Sequence, residues 1–406
     1  MKIEYVHFYV EDARASSDWF VNYMGFRALA SGASLHTYTA VVQSGAVYIV
    51  LSSPLSSASP VAQFLKLHPA GVADIAFVVS DLEGIIERAV ANDAKVLQPV
   101  QEQPLAQGVR KWARIAAWGS LSHTLSEYTD NTLRLPVFPE TLGVRDCVQG
   151  ESFLQTSSPA PPAPPASPTL SSPSEAEFVT DIDHVVLNVA IGELEPALNW
   201  YENILGFQRQ QTFTIQTDHS GLRSQVMIHP KSGVKFPINE PTSANSQIQE
   251  FLEVNRGSGI QHIALQTPQI VKAIAQFRSS GLSFLPVPDT YYAQLQQHCH
   301  KLNLSAAELK EIAAQQILVD WQDNSPEALL LQIFTQPIFK EPTFFFELIE
   351  RRYEAQGFGE GNFRALFEAI EREQMKRGSL PSQSQEDQAG GMREALAHKR
   401  RGKVSN

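Results

Sequence analysis

Three polar side chains interrupt apolar runs in the second half of the chain and could do chemistry. They are His184 in DIDHVVLNV, His262 in GIQHIALQT and Glu347 in TFFFELIE. Taken singly, a buried histidine is more often an ordinary core residue than a ligand. A buried, ionised carboxylate is harder to accommodate, because without a partner its desolvation is strongly unfavourable. Glu347 therefore needs a partner, a proton or a metal ion.

The combination of these three residues favours a metal site. Two histidines and one carboxylate are the ligand set of non-haem Fe(II) oxygenases, which leave coordination positions open for substrate and O₂. Strand alternation places Phe345 on the same face as Glu347, and an aromatic ring beside the carboxylate suits a substrate pocket. The rival oxygenase architecture carries a His-x-Asp or His-x-Glu pair on one strand, and the sequence contains neither.

A duplicated pattern of elements positions these residues. WFVNYMGFR (19–27) matches WYENILGFQ (200–208), and GVADIAFVV (71–79) matches GIQHIALQT (259–267) in the same order. Each half therefore repeats, and each half predicts two strand–helix–strands modules. We expect an α+β fold in which each half forms a curved, mostly antiparallel sheet.

The chain divides at a stretch with almost nothing to bury. TSSPAPPAPPASPTLSSPSEAE (156–177) is rich in Pro, Ala and Ser, which predicts an extended linker. We expect a first domain over 1–146, a linker over 147–178, a second domain over 179–378 and a polar, disordered tail over 379–406.

The first half offers a comparison for the metal site. Sequence matching places His7, Asp74 and Glu127 where the second half has His184, His262 and Glu347. The aromatic strand before Glu127 is missing, so we interpret the first half as a metal-free scaffold domain.

Composition excludes several classes of function. A formal net charge of −11 argues against a nucleic-acid-binding surface, which needs basic patches. No apolar stretch approaches the ~18 residues of a membrane span. The N-terminus has no signal-peptide pattern, and two cysteines fit a reducing compartment. We expect a cytoplasmic protein that does not bind nucleic acid or membranes.

The second half resembles the 4-hydroxyphenylpyruvate dioxygenase family of the vicinal oxygen chelate superfamily. The match covers most of 181–377 in the family's order, while the first half fits more loosely. The long linker and the tail depart from the family pattern. The stretches that carry the resemblance are DHVVLNV, FPINEP, SQIQEFLEVNRGSGIQHIAL, LLLQIFTQP, FFFELIERR and GFGEGNFRALFEAIEREQ.

The resemblance implies an activity and a cofactor. His184, His262 and Glu347 would bind Fe(II). The substrate, 4-hydroxyphenylpyruvate, would chelate the metal through its 2-oxo acid group. Reaction with O₂ would then decarboxylate the side chain, hydroxylate the ring and move the side chain, giving homogentisate and CO₂. The product would serve tyrosine catabolism or prenylquinone and tocopherol synthesis. The family commonly forms homo-oligomers, either dimers or tetramers.

The resemblance also assigns roles to the remaining matched positions. The polar side chains would orient the substrate and the metal ligands, and the apolar ones would enclose the ring. Glycines at 357, 359 and 361 make a hinge before a helix with an apolar stripe, which would be a lid over the pocket. The polar group comprises Ser224, Asn239, Gln247 and Gln332, and the substrate-binding group comprises Pro237, Gln261, Phe334, Phe345, Phe358, Asn362, Phe363 and Leu366.

Two alternatives remain open at this stage. One is 4-hydroxymandelate synthase, which uses the same substrate and hydroxylates the benzylic carbon. The other is a metal-free binding protein on the same fold, which would require a defective set of ligands or a blocked pocket. Pro237, Asn239 and Phe345 favour the dioxygenase over the synthase.

Overall fold

The computed structural model describes residues 1–105, 108–129, 177–216, 221–298, 302, 304–322, 325–362, 370–372 and 374. The predicted tail (379–406) and all of the predicted linker (147–178) except its last two residues lie outside the described residues. Their boundaries therefore stay predictions. Within the described residues, no helix is long and apolar enough to cross a membrane.

The first domain is built on a single eight-stranded sheet. The sheet order is β2-β3-β4-β1-β5-β8-β7-β6. The pairs β1/β4 and β5/β8 are parallel and the other neighbouring strands are antiparallel. The elements are β1 (Lys2–Tyr9), α1 (Ala13–Met24), β2 (Arg27–Ala33), β3 (Thr37–Ser44), β4 (Val47–Pro54), α2 (Pro60–Leu67), β5 (Gly71–Val78), α3 (Leu82–Ala91), β6 (Val96–Pro104), β7 (Val109–Ala116) and β8 (Ser122–Tyr128).

The second domain repeats this topology position by position, with the order β10-β11-β12-β9-β13-β16-β15-β14. This confirms the predicted α+β fold of two domains, each built from two strand–helix–strands modules. The helices α7 and α8 have no counterpart in the first domain. The elements are β9 (Asp181–Asn188), α4 (Leu194–Trp200), β10 (Gln208–Gln216), β11 (Gly221–Ile228), β12 (Lys235–Pro241), α5 (Gln247–Asn255), β13 (Gly259–Gln266), α6 (Ile270–Ser279), α7 (Asp289–His298), α8 (Ala306–Ala314), β14 (Leu318–Gln322), β15 (Ser325–Phe334) and β16 (Phe345–Arg351).

The helices that follow the first strand of each domain end at glycines. Gly25 after α1 has φ +68°, and Gly206 has φ +75°. Both values lie in the left-handed region that glycine adopts without steric cost, which explains the shared Gly-Phe sequence. In the second domain, α4 continues as a π turn (Tyr201–Leu205) before it reaches Gly206.

The aromatic run of β16 is buried on both faces of its strand. Phe344 lies 5.0 Å from Phe8 of the first domain, and Phe346 lies 5.8 Å from Phe20, measured between ring centroids. Glu347 and Phe345 point the other way, into the interior of the second sheet. The first domain thus covers the back of the strand that carries the predicted carboxylate ligand.

Strand register corrects the predicted equivalence of the two halves. His184 and Glu347 both pair with Ala264 of β13, whose counterpart in the first domain is Ala76. Tyr5 pairs with Ala76, and the β5/β8 register carries Thr124 to the same place. The first-domain counterparts of His184, His262 and Glu347 are therefore Tyr5, Asp74 and Thr124.

The predicted matches of His7 and Glu127 were wrong, whereas that of Asp74 was right. His7 lies two residues along β1 from the true counterpart, on the same face, so residue type alone suggested the wrong alignment. Glu127 instead contacts the start of α3, where its Oε2 accepts a hydrogen bond from the backbone N–H of Leu82.

Candidate metal centre and substrate pocket

His184, His262 and Glu347 meet at the floor of the second sheet. Their ligand atoms all lie within 4.8 Å of one another, and all three side chains are buried. Glu347 Oε2 lies 3.3 Å from His184 Nε2 and 3.7 Å from His262 Nε2. Three strands supply them: β9, β13 and β16, which are neighbours in the sheet. The fold therefore brings together three residues that are far apart in sequence.

An ionised carboxylate orients His184 from the side away from the pocket. The ring Nδ1 lies 2.9 Å from Asp183 Oδ1, so Nε2 is the nitrogen that faces Glu347 and the pocket. Burial alone would raise the pKa of Asp183, but hydrogen bonds from Arg351 and His184 outweigh it and lower that pKa. Asp183 therefore stays charged and fixes the orientation of the imidazole.

The two histidines respond differently to the charges around them. Burial disfavours protonation of His184, but attraction to Glu347 and the hydrogen bond to Asp183 raise its pKa. Burial and the charge of His184 together hold the pKa of His262 well below its usual value.

The residues present fit a divalent metal ion. Glu347 is 2% exposed, and its Oε1 has no hydrogen-bond partner among the described residues. A buried carboxylate oxygen without a partner is unfavourable unless a cation or donor satisfies it. Two imidazole nitrogens and one carboxylate oxygen form the donor set that suits Fe(II) with open positions.

A cavity lies directly above these three residues. Most of the predicted pocket residues line it. They are Ser224, Pro237, Asn239, Gln247, Gln261, Gln332, Phe334, Phe345 and Phe358.

One predicted residue, Asn362, does not line the cavity, and two others lie outside the described residues. Asn362 is buried outside it, where its Oδ1 accepts a hydrogen bond from the hydroxyl of Tyr291 on α7. Phe363 and Leu366, together with most of the predicted lid helix, lie outside the described residues. Ile370, farther along that stretch, lines the cavity.

Aromatic rings frame the metal ligands. Phe345 stacks on His262 at 4.8 Å with an angle of 16° between the ring planes. Phe358 meets His184 edge-on at 5.2 Å. Two faces of the cavity are therefore flat and apolar, as a planar aromatic ligand requires.

Unpaired polar atoms line the same cavity. Gln247 Oε1 and Gln332 Oε1 are buried and have no hydrogen-bond partner among the described residues. Asn239 and Ser224 lie on neighbouring strands and pair directly in the β11/β12 register. A ligand with polar groups at both ends would satisfy these atoms.

The segment that follows β16 closes over Gln332. Gly359 has φ +79°, and a Cβ atom at this position would collide with the Gln332 carboxamide. Only glycine allows this approach. The adjoining Gly361 N–H donates to Asp320 Oδ2 of β14 at 3.3 Å.

Sequence reasoning missed some functional neighbours. Phe213 and Ile215 line the cavity from β10, and their alternation within the polar run QRQQTFTIQ was a usable signal. Asp183 stands directly before His184 in DIDH, where a carboxylate beside a predicted ligand is also a recognisable pattern. The partner of Asp183, Arg351, gave no local signal.

Family models match both domains. Residues 181–299 and residues 4–110 each match a model described as Glyoxalase/Bleomycin resistance protein/Dioxygenase superfamily. A solved structure of a mutant 4-hydroxymandelate synthase from Streptomyces coelicolor superimposes with a TM-score of 0.72 at 25% identity. That match covers 92% of this chain and 98% of the other.

Similar proteins extend over nearly the whole chain. A 4-hydroxyphenylpyruvate dioxygenase of Dictyostelium discoideum is 36% identical and covers 93% of this chain and 99% of its own length. A 4-hydroxyphenylpyruvate dioxygenase of Caenorhabditis briggsae is 35% identical, and the match covers 93% of this chain and 93% of that protein. An uncharacterised Synechocystis protein is 34% identical over 91% of this chain. These relatives, the shared fold and three residues that could hold a metal ion show that the chain belongs to the 4-hydroxyphenylpyruvate dioxygenase family.

Proposed function

We propose that the protein converts 4-hydroxyphenylpyruvate and O₂ to homogentisate and CO₂. The observation that carries this proposal is the triad of His184, His262 and Glu347 at the floor of a cavity with aromatic walls. The named relatives support the substrate, and the unpaired Glu347 Oε1 supports a bound cation.

We propose Fe(II) as the metal held by the triad. When bound there, Fe(II) supplies the redox chemistry that activates O₂ and a Lewis acid for the substrate's 2-oxo acid group. The chain's part is to keep both imidazoles neutral at the metal-facing nitrogen and to keep the carboxylate charged. Asp183 keeps Nε2 of His184 unprotonated by holding the ring proton on Nδ1.

The polar residues opposite the triad would orient the phenol of the substrate. Gln247 offers a buried, unpaired acceptor to the phenol hydroxyl. Asn239 and Ser224 offer a carboxamide and a hydroxyl from the adjoining strands. Fixing the far end of the ring determines which carbon atom faces the metal, and therefore which product forms.

Phe345 and Phe358 would hold the ring of the substrate between them. Gln332 lies on β15 beside the triad, and the backbone of Gly359 approaches its carboxamide. Its unpaired Oε1 could accept a hydrogen bond from substrate or water. The segment 357–362, which closes over Gln332, would exclude bulk water during the reaction.

Product identification tests the proposal. Full-length protein is loaded with Fe(II) without oxygen and given 4-hydroxyphenylpyruvate and O₂, and the product is separated by chromatography. We expect homogentisate in proportion to the O₂ consumed. Glu350→Gln is a matched control for variants of Glu347. Glu350 lies on the same strand as Glu347 but accepts hydrogen bonds from Arg352 and the N–H of Ile270 outside the pocket. No O₂ uptake by iron-loaded protein would refute the proposal.

A second candidate is 4-hydroxymandelate synthase activity, favoured by the similarity to the Streptomyces structure. It uses the same triad and substrate, so metal binding does not separate the two. The product does. 4-Hydroxymandelate would keep the proposed metal centre and overturn the proposed orientation of the ring.

The remaining predictions are also proposals. We propose a homo-oligomer, a dimer or tetramer, in the cytoplasm, with homogentisate entering tyrosine catabolism or prenylquinone synthesis. Light scattering on the purified full-length chain tests the oligomeric state, and a monomer would contradict it.

A further inference from the structure

Arg351 connects the metal centre to the segment that covers it. Its guanidinium binds Asp183 with both prongs, Nε to Oδ2 at 2.6 Å and Nη2 to Oδ1 at 2.7 Å. Asp183 is the residue that orients His184. The remaining nitrogen, Nη1, donates to the backbone carbonyl oxygens of Ala355 and Gly357, both at 2.9 Å.

The turn that receives these hydrogen bonds is strained. Tyr353 has φ +49° and Glu354 has φ +55°, values that residues with side chains adopt rarely. Such a conformation persists where the surrounding structure fixes it. Ala355 follows this pair directly and Gly357 lies two residues further on, so Arg351 holds the strained turn in place.

The residue after this turn contacts a proposed metal ligand, His184. Phe358, one residue beyond Gly357, packs its ring against His184. The stretch from Glu347 to Phe358 therefore contains a proposed metal ligand, Glu347, and a residue that lines the pocket, Phe358. Between them lies Arg351, which binds the carboxylate that orients His184. Any movement of the turn would reach His184 by two routes, through Asp183 and through Phe358.

We propose that Arg351 is a positioning residue that couples the orientation of His184 to the closed position of the 355–358 turn. Metal binding and closure of the turn then stabilise each other, since a coupling between two sites acts equally in both directions. This inference rests on the proposed metal centre, and it adds that the covering segment responds to the metal before substrate arrives.

Arg352 provides a matched control. It is the next residue along the chain and also forms short ion pairs, with Glu308 at 2.6 Å and Glu350 at 2.7 Å. None of these three residues lines the cavity above the triad. Removing the Arg352 side chain therefore disturbs a comparable set of ion pairs without removing a side-chain hydrogen bond to Asp183, Ala355 or Gly357.

The test measures metal affinity and exchange of the turn in the full-length chain. Fe(II) or Co(II) is titrated anaerobically by calorimetry, and hydrogen exchange of residues 352–362 is compared with and without metal. We expect metal to protect the turn in the wild-type protein. In Arg351→Met, we expect about tenfold weaker metal binding and no metal-dependent protection. Arg352→Met should bind metal as the wild type does and keep that protection.

A lysine variant covers the case in which Arg351→Met does not fold. Arg351→Lys keeps the positive charge but lacks the fork that binds a carboxylate at two points. We expect it to fold, as judged by thermal unfolding, and to lose most of the metal-dependent protection.

The outcomes separate this inference from the proposed function. If the wild-type protein binds neither Fe(II) nor Co(II), the metal centre itself is wrong. If it binds metal but the turn gains no protection, the coupling is overturned and the metal centre stands. The coupling is also overturned if the Arg351 variants bind metal and protect the turn as the wild type does.

Discussion

The two domains share one topology and one register, yet they hold different residues at the same three places. Where the second domain has His184, His262 and Glu347, the first has Tyr5, Asp74 and Thr124. Both domains thus bury a carboxylate inside the sheet. They differ in where the compensating positive charge comes from.

In the first domain the cation is part of the chain. Arg114 Nε lies 3.9 Å from Asp74 Oδ1 and donates to Thr124 Oγ1 at 3.1 Å. Arg114 pairs with Thr124 across the β7/β8 register, as Phe334 pairs with Glu347 across β15/β16. Phe334 therefore stands where the first domain has its arginine. An apolar ring at that place leaves Glu347 in need of a cation from outside the chain.

The interiors differ in the same direction. In the first domain, Tyr5 packs with Val41, Val50 and Ala76 inside the sheet. In the second, residues of the corresponding strands line an open cavity above the triad. The first domain therefore has the same architecture, with side chains occupying the place of the cavity. It also packs against the back of β16.

The largest expected effect comes from the carboxylate of the second domain. Glu347→Ala should abolish Fe(II) binding and lower the rate of homogentisate formation by about 10³-fold or more, because a metal supplies several kcal/mol of transition-state stabilisation. Thr124→Ala, at the equivalent place, should leave both unchanged and cost only about 1–2 kcal/mol of stability through the lost hydrogen bonds of its hydroxyl to Arg114 and Asp74. Calorimetry and product chromatography measure both. Equal losses in the two variants would break the comparison.

Phe8→Ala tests the supporting role of the first domain. Removing a buried ring should lower the free energy of unfolding by about 3–5 kcal/mol. Because Phe8 packs on Phe344, metal affinity should fall as well. Phe26, buried in the first domain against Phe20, provides the control. Phe26→Ala should lose similar stability in urea denaturation and keep its metal affinity. A normal metal affinity in Phe8→Ala would contradict the supporting role.

Arg114→Met tests the internal cation. It leaves Asp74 buried without its positive partner, which should destabilise the protein by about 2–3 kcal/mol at pH 7 in urea denaturation. Burial already raises the pKa of Asp74. The loss should therefore shrink as the pH falls and Asp74 becomes protonated, and a second change, Asp74→Asn, should recover stability at pH 7. A loss independent of pH would argue against the ion pair.

His123 makes stability depend on pH where the domains meet. It is fully buried, its Nδ1 donates to the carbonyl oxygen of Ile75, and its Nε2 accepts from the hydroxyl of Tyr201. Burial lowers the pKa of His123 from 6.5 to about 4. Its contribution is complete above pH 6.5 and is lost as the pH falls towards 4. At pH 5 the loss should reach about 2 kcal/mol.

The measurement compares urea denaturation of the wild type and His123→Gln between pH 7 and pH 5. The variant should lose less stability over this range, because it has no imidazole to protonate. The comparison also removes the contribution of His7, whose pKa burial lowers to about 3. Identical pH slopes would show that His123 is not the group responsible.

Local sequence predicted the triad because each member breaks an apolar run that a strand must bury. It predicted the fold because the blocks WFVNYMGFR and WYENILGFQ occur in the same context in each half. These signals need only neighbouring residues and their alternation, which strands preserve.

The rest depended on contacts between distant parts of the chain. Arg351 and Asp183 are far apart in sequence, and the arginine reads locally as one of a charged pair at a strand end. The equivalence of Tyr5 with His184 follows from the hydrogen-bond register of the strands. The sequence suggested His7 instead, because it is a histidine only two positions away. The helices α7 and α8 lie between α6 and β14 without any counterpart in the first half, so the repeat could not predict them.

Locating iron in a crystal of the full-length protein tests the central difference between the domains most directly. Data collected at the iron absorption edge from anaerobically loaded crystals should show one anomalous peak per chain, between His184, His262 and Glu347. No peak should appear beside Asp74, where Arg114 supplies the charge. A peak beside Asp74, or iron bound elsewhere with the triad empty, would contradict the account.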